Sequence, residues 1–205
     1  MKSESLFRLS GWSCVVGGTA LIAQTLLHAS LPEGCVGSGC ARDLRGTAAG
    51  EGPLAIISAV LLTTATVSLV VLARRRRPLG EVGVAAIVTA AGALGLGAAA
   101  ALMAAVDDDF SGMPLLVLPG LVLVVTTGIL VAVLVLLARL IPTWLAVGMV
   151  ASASLLLLEN EQTALVLFAV PFSTMCVVLG LNLIRGDPQG LKNQRTRSAS
   201  LRGTP

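Results

Sequence analysis

The chain has 205 residues, of which 55% are hydrophobic and only 12% charged, whereas a soluble domain is about 45–50% apolar and about 25% charged. Its formal net charge is +3, and its apolar residues gather in runs of about twenty, the length that crosses roughly 30 Å of hydrocarbon. These figures exclude an ordinary soluble domain and predict an all-α, polytopic membrane protein: a bundle of six transmembrane helices with both termini cytoplasmic.

Residues 1–8 read as a short cytoplasmic N-terminus, and the first span is expected over 9–29. A basic start before an apolar stretch also resembles a signal peptide. However, the apolar core is long, Glu4 stands where such a peptide is basic, and Pro-Glu-Gly before Cys35 is a poor lipoprotein cleavage context. A membrane span is the better reading. On it, Ser13, Gly17, Ala20, Gln24 and His28 follow three- and four-residue steps and form one polar or small stripe. Gln24 and His28 should therefore face protein or water. His28, the only histidine, has two readings: an interhelical hydrogen bond that serves packing, or a proton-sensitive or metal-binding group.

The first polar break, "EGCVGSGCARD", carries Cys35 and Cys40. Gly37 and Gly39 permit the tight turn that a four-residue separation needs, so a disulfide in an outward, oxidising setting is expected. So small a ring contributes only about 2 kcal/mol and defines the loop rather than the fold. A redox pair or a metal clip is the alternative; the spacing is not the Cys-x-x-Cys of thioredoxin-like motifs.

The second span is expected over 54–73 and ends in Arg74, Arg75, Arg76 and Arg77, read as an orientation signal and a lipid-headgroup contact. The third, over 82–106, is almost entirely Ala, Gly and small apolar residues, with Ala93, Gly97 and Ala101 at small-xxx-small spacing. It is expected to be the central helix of the bundle. Asp107, Asp108 and Asp109 follow it. The fourth span, over 114–138, contains Pro119-Gly120, a candidate break or tilt.

The fifth, over 143–158, is short, and a very short connection with Glu159 and Glu161 leads to the sixth, over 163–184. The five carboxylates at 107–109, 159 and 161 are either solvated loops or a cation-concentrating or proton-linked face. Glu159 is the one that the short fifth span could draw below the interface, where His28 could compensate it. Residues 185–205 read as a basic, flexible cytoplasmic tail.

Orientation follows from the basic residues, which are retained on the cytoplasmic side in short loops. With the N-terminus inside, the inner face holds twelve basic and three acidic residues (+9), and the outer face two basic and eight acidic (−6). Trp12 and Trp144 then fall at the inner interface, where an indole keeps its ring in the boundary and its N–H wet.

The expected location is the plasma membrane, and the expected partners are the bilayer and either the chain itself or a larger membrane complex, with no nucleic acid. The residues name no cofactor and no particular metal. Hydropathy and Ala/Leu/Val/Gly usage are generically similar to those of small six-helix bacterial membrane proteins, without a shared residue motif.

Nothing in the chain matches a phosphate-binding glycine loop, a serine-hydrolase elbow or a metalloprotease motif. Three functions remain. A complex subunit or membrane scaffold that acts by helix packing or binding leads. It should tolerate Glu159→Gln and His28→Ala and lose association on Gly97→Leu. A cation- or proton-linked transport component with an acidic outer vestibule comes second, and a membrane thiol-disulfide oxidoreductase using Cys35 and Cys40 third.

Overall fold

The computed structural model of the chain describes residues 3–34, 46, 48, 50–78, 80–106, 113–160 and 162–185. These form helices α1 (Ser3–Ala29), α2 (Glu51–Arg74), α3 (Gly80–Val106), α4 (Met113–Leu137), α5 (Thr143–Leu155) and α6 (Ala169–Arg185), with no strand among the described residues. Helices are what such a sequence must form in hydrocarbon, because only there does each segment satisfy its own N–H and C=O groups. Five helices are long and apolar enough to cross a membrane. The fifth in chain order is the short one. With the 3₁₀ turn Leu156–Leu158 it runs Thr143–Leu158, about 26 Å by the rises of the two helix types.

Two proline effects differ from each other. α4 runs unbroken through Pro119, so the expected break is not there. At the last helix the chain enters as a 3₁₀ turn, Ala164–Phe168, and becomes α-helical only two residues before Pro171. A proline ring conflicts with the carbonyl four residues back, here that of Leu167, which disfavours a continuous α-helix through this turn.

Each helix packs mainly on its neighbours in sequence, and α6 returns to pack on α1, so the six close a ring; α2 also touches α4. The larger core lies towards the ends that carry the arginines, where Leu69 and Val70 of α2, Leu134 and Val135 of α4, and Leu145 and Met149 of α5 meet Leu179. A smaller one, around Val125, Ala153, Phe172 and Cys176, fills the opposite half.

α3 is not the central helix. Only 17% of its span is buried, against 44% for α1, the highest share of the five. The exchange has a steric cause. On α1, Gly11, Cys14 and Gly18 face Ser173, Val177 and Gly180 of α6 so closely that a Cβ on Gly11 would lie 2.9 Å from the carbonyl oxygen of Gly180, and one on Gly18 2.8 Å from that of Ser173. Small side chains bring backbones together only where a partner presents an equally low surface. α6 does so for α1, whereas Gly95 and Gly97 of α3 have nothing within 4 Å of an added Cβ.

Candidate functional site

α1 and α6 run antiparallel along this seam, so the ends of the helices sort into two poles. Among the described residues one pole holds His28, Glu33, Glu51 and Glu159, and the other Arg74, Arg75, Arg76, Arg77, Arg139 and Arg185.

The acidic pole is built from three chain ends. α1 stops before Pro32, with Ser30 N–H donating to Leu26 O (3.0 Å) and Leu31 N–H to His28 O (3.2 Å). From this turn Gly34 N–H donates to Gln162 O at 2.9 Å, and the Glu33 carboxylate accepts from Ala164 N–H at 3.2 Å. That carboxylate sits at the N-terminus of the 3₁₀ turn, where unpaired N–H groups favour negative charge. Thr163 caps the same turn by accepting from Leu165 N–H (3.2 Å), and Asn160 Oδ1 accepts from Gln162 N–H (2.9 Å). The connection before α6 is thus tied to the loop after α1.

Glu51 opens α2, directly after Gly50, whose φ of 90° turns the chain through the left-handed region that glycine enters without steric cost. Its Oε2 accepts from Ala48 N–H at 3.0 Å, and Oε1 stands 2.8 Å from His28 Nδ1. The approach is close, while its angle falls short of an aligned hydrogen bond. Both side chains are largely buried, 10% exposed for His28 and 13% for Glu51. The contact is ionic when the imidazole is protonated, and a carboxylate is then held where water is scarce.

His28 thus meets Glu51. Glu159 lies half-buried after the 3₁₀ turn that ends α5, with its N–H on Leu156 O (3.0 Å). Of the stripe read along α1, Ser13, Gly17, Ala20 and His28 are buried and Gln24 is half-buried, one turn before His28. Cys35, Cys40, Asp107, Asp108, Asp109 and Glu161 lie outside the described residues. Cys14 and Cys176 are buried free thiols on the facing sides of α1 and α6. Among the described residues no three His, Cys, Asp or Glu side chains gather as a metal site.

At the basic pole the four arginines are not equivalent. Arg74 donates to Gly80 O (3.3 Å), across the turn to α3. Arg76 folds inward, its guanidinium 5.6 Å from the Phe7 ring centre and donating to Ala138 O (3.5 Å) and Arg139 O (3.1 Å). Partial burial lowers its pKa from the usual arginine value. It places a cation on the last carbonyls of α4, where the helix dipole is negative. Arg139 there adopts φ 52°, so that its N–H reaches Leu136 O and that of Leu140 reaches Val135 O, both at 2.9 Å. Arg75 and Arg77 are exposed.

Sequence reasoning missed Glu51 as a site residue, and read Arg76 only as one of four headgroup contacts. Glu51 lies three residues before the predicted second span, and only the structure extends α2 back to it, where an acid favours a helix start. Nothing local separated Arg76 from its three neighbours.

The described residues form an all-helical protein, five of whose helices are long and apolar enough to cross a membrane. Compared with known protein families, curated proteins and solved structures, the chain finds no match.

Proposed function

We propose that the chain is an integral protein of the plasma membrane with six spans and both termini in the cytoplasm, and that it acts by helix packing, as a complex subunit or scaffold rather than as a catalyst. One observation carries this reading. α3, the least buried of the five long helices, leaves Gly95 and Gly97 with no neighbour within 4 Å of an added Cβ, beside exposed Ala98 and Ala101. In lipid, where the hydrophobic effect does not drive helices together, such a low surface gains most by taking another helix at close range. The six spans are supported by the alternation of helix ends between the two poles, and the orientation by the arginines gathered at one of them.

The test is association of two labelled populations of the full chain in bilayer nanodiscs or vesicles, read by energy transfer or cross-linking. Gly97→Leu should abolish it and Gly97→Ala should not. A Gly97→Leu protein that still associates, or a wild type that is monomeric without any co-purifying subunit, overturns the proposal. Sidedness is tested by an impermeant maleimide in intact cells: labelling of Cys35 and Cys40 from outside is expected, and only after reduction if they are paired. Labelling confined to opened membranes overturns the orientation.

The buried His28–Glu51 contact favours a second reading, a cation- or proton-linked transport component. Flux in reconstituted vesicles should then depend on Glu51 as well as on Glu159. Equal flux in Glu51→Gln and Glu159→Gln removes both from such a mechanism.

A further inference from the structure

Between α1 and α2 an open groove of about 560 Å³ runs down the outside of the bundle, walled by Leu6 and Leu9 on one side and Thr64, Val67 and Val71 on the other, with Arg75 at its end. Its volume is within the roughly 300–1,000 Å³ of small-molecule sites. Thr63, Thr64 and Ser68 also line it, the Thr64 hydroxyl donating back to Val60 O at 2.8 Å, and the remaining wall is Leu and Val. Along α2 the lining runs from Thr63 to Arg75, twelve residues or about 18 Å of helix, while α1 closes only the end near Arg75 with Leu6 and Leu9. Half of a hydrocarbon core is about 15 Å, so the α2 wall of the groove matches one leaflet in length and its charged end falls at headgroup depth.

A second groove, between α4 and α5, is lined by Ala132, Val133, Leu136, Ala146, Val147, Val150 and Ala151 and has no charged lining residue. It offers a headgroup nothing to hold. The α1–α2 groove joins an acyl-length, largely apolar wall to a guanidinium that complements a phosphate.

We propose that this groove binds an anionic phospholipid of the leaflet at the basic pole, one acyl chain lying between α1 and α2 and the phosphate on Arg75. The inference rests on the membrane placement proposed above. It differs from a diffuse attraction of the arginine run for anionic lipid in two ways: Arg75 and not Arg77 carries the contact, and the occupant's chain is required as well as its charge.

The full-length protein, stripped in detergent and returned to vesicles of phosphatidylglycerol and phosphatidylcholine with identical chains, is isolated with its retained lipid and weighed by native mass spectrometry. The wild type should retain phosphatidylglycerol in preference to phosphatidylcholine. Arg75→Gln should lower that preference about fivefold, the value of one basic residue at an anionic surface, while Arg77→Gln leaves it within about twofold. Val67→Trp, which fills the groove at an exposed position, should release both lipids. Equal losses in the Arg75 and Arg77 variants overturn the site in favour of a diffuse basic surface. Unchanged lipid retention with an altered oligomeric mass in Val67→Trp overturns it in favour of a second copy in the groove. A wild type that does not co-float with the vesicles overturns the membrane placement itself, a result separate from either.

Discussion

Replacing Gly180 by alanine adds one methyl group at the closest approach of a described glycine to another helix's backbone, and the same change at Gly97 adds one to open space. A Cβ on Gly180 would stand 2.5 Å from the carbonyl oxygen of Gly11, 2.8 Å from Val15 Cγ2 and 2.9 Å from Cys14 Cβ. Ordinary contact begins at 3.4 Å, so from 2.5 Å the helices must part by about 0.9 Å along a seam that is backbone on both sides. Overpacking of this kind costs about 1–3 kcal/mol. Alanine also gains up to about 1 kcal/mol of helix propensity over glycine, but that term is common to both variants and cancels in their difference.

Gly180→Ala should therefore be less stable than Gly97→Ala by about 1–3 kcal/mol, or roughly 2–12 °C at about 2–4 °C per kcal/mol for a chain of this size. Cys14 and Cys176 supply the assay, being 3% and 5% exposed on either side of the seam. With Cys35 and Cys40 changed to serine they are the only thiols, so a thiol-reactive fluorophore reports unfolding on heating in detergent. Equal melting of the two variants would show that α1 and α6 do not meet as closely as described, and the account of why α1 is more buried than α3 would fall with it.

His28→Ala should cost about 1–3 kcal/mol in the same assay, because it removes the side chain packed against the largely buried Glu51 carboxylate and leaves that carboxylate the Ala48 N–H as its hydrogen bond from the pole. The tolerance expected of a packing protein at this residue is thus revised, and a melting curve superimposable on wild type would restore it. Arg139→Gly should gain up to about 1 kcal/mol, since φ 52° is penalised for any side chain but not for glycine. A lower melting temperature for that variant would mean that the arginine side chain contributes more than its backbone costs.

The helices were legible because apolar runs of about twenty residues have the length of a membrane-crossing helix: the first should end at Ala29 and does, and the fifth should run 143–158 and does so as helix plus 3₁₀ turn. What was misjudged was which helix lies inside. Ala93, Gly97 and Ala101 satisfy the spacing of a close-packing face, but spacing describes one surface and contact needs two. The α1 stripe was read correctly as facing inward because it carries polar groups, Ser13 and His28 among them, that lipid would reject. A stripe of alanine and glycine carries no such mark.

The candidate site divides in the same way. His28 stood out alone, as the only histidine, yet its neighbour proved to be a carboxylate across the first loop, 23 residues on in the sequence. Glu159 was equally plausible by charge. The four arginines were legible as a group, and only the structure turns Arg76 onto Phe7 and the end of α4 while leaving Arg75 at the mouth of a groove.

By itself, then, the sequence determined the apolar helical segments and several of their limits, though not the start of α1 at Ser3 or the 3₁₀ entry before Ala169, each segment set by its own run of apolar residues. Tertiary structure decided the neighbours: α1 and α6 back to back, α3 at the rim, Glu51 on His28 and Arg76 on α4. Lipid is as apolar as leucine, so hydropathy does not say which apolar face meets protein; shape and the pairing of scarce polar groups do.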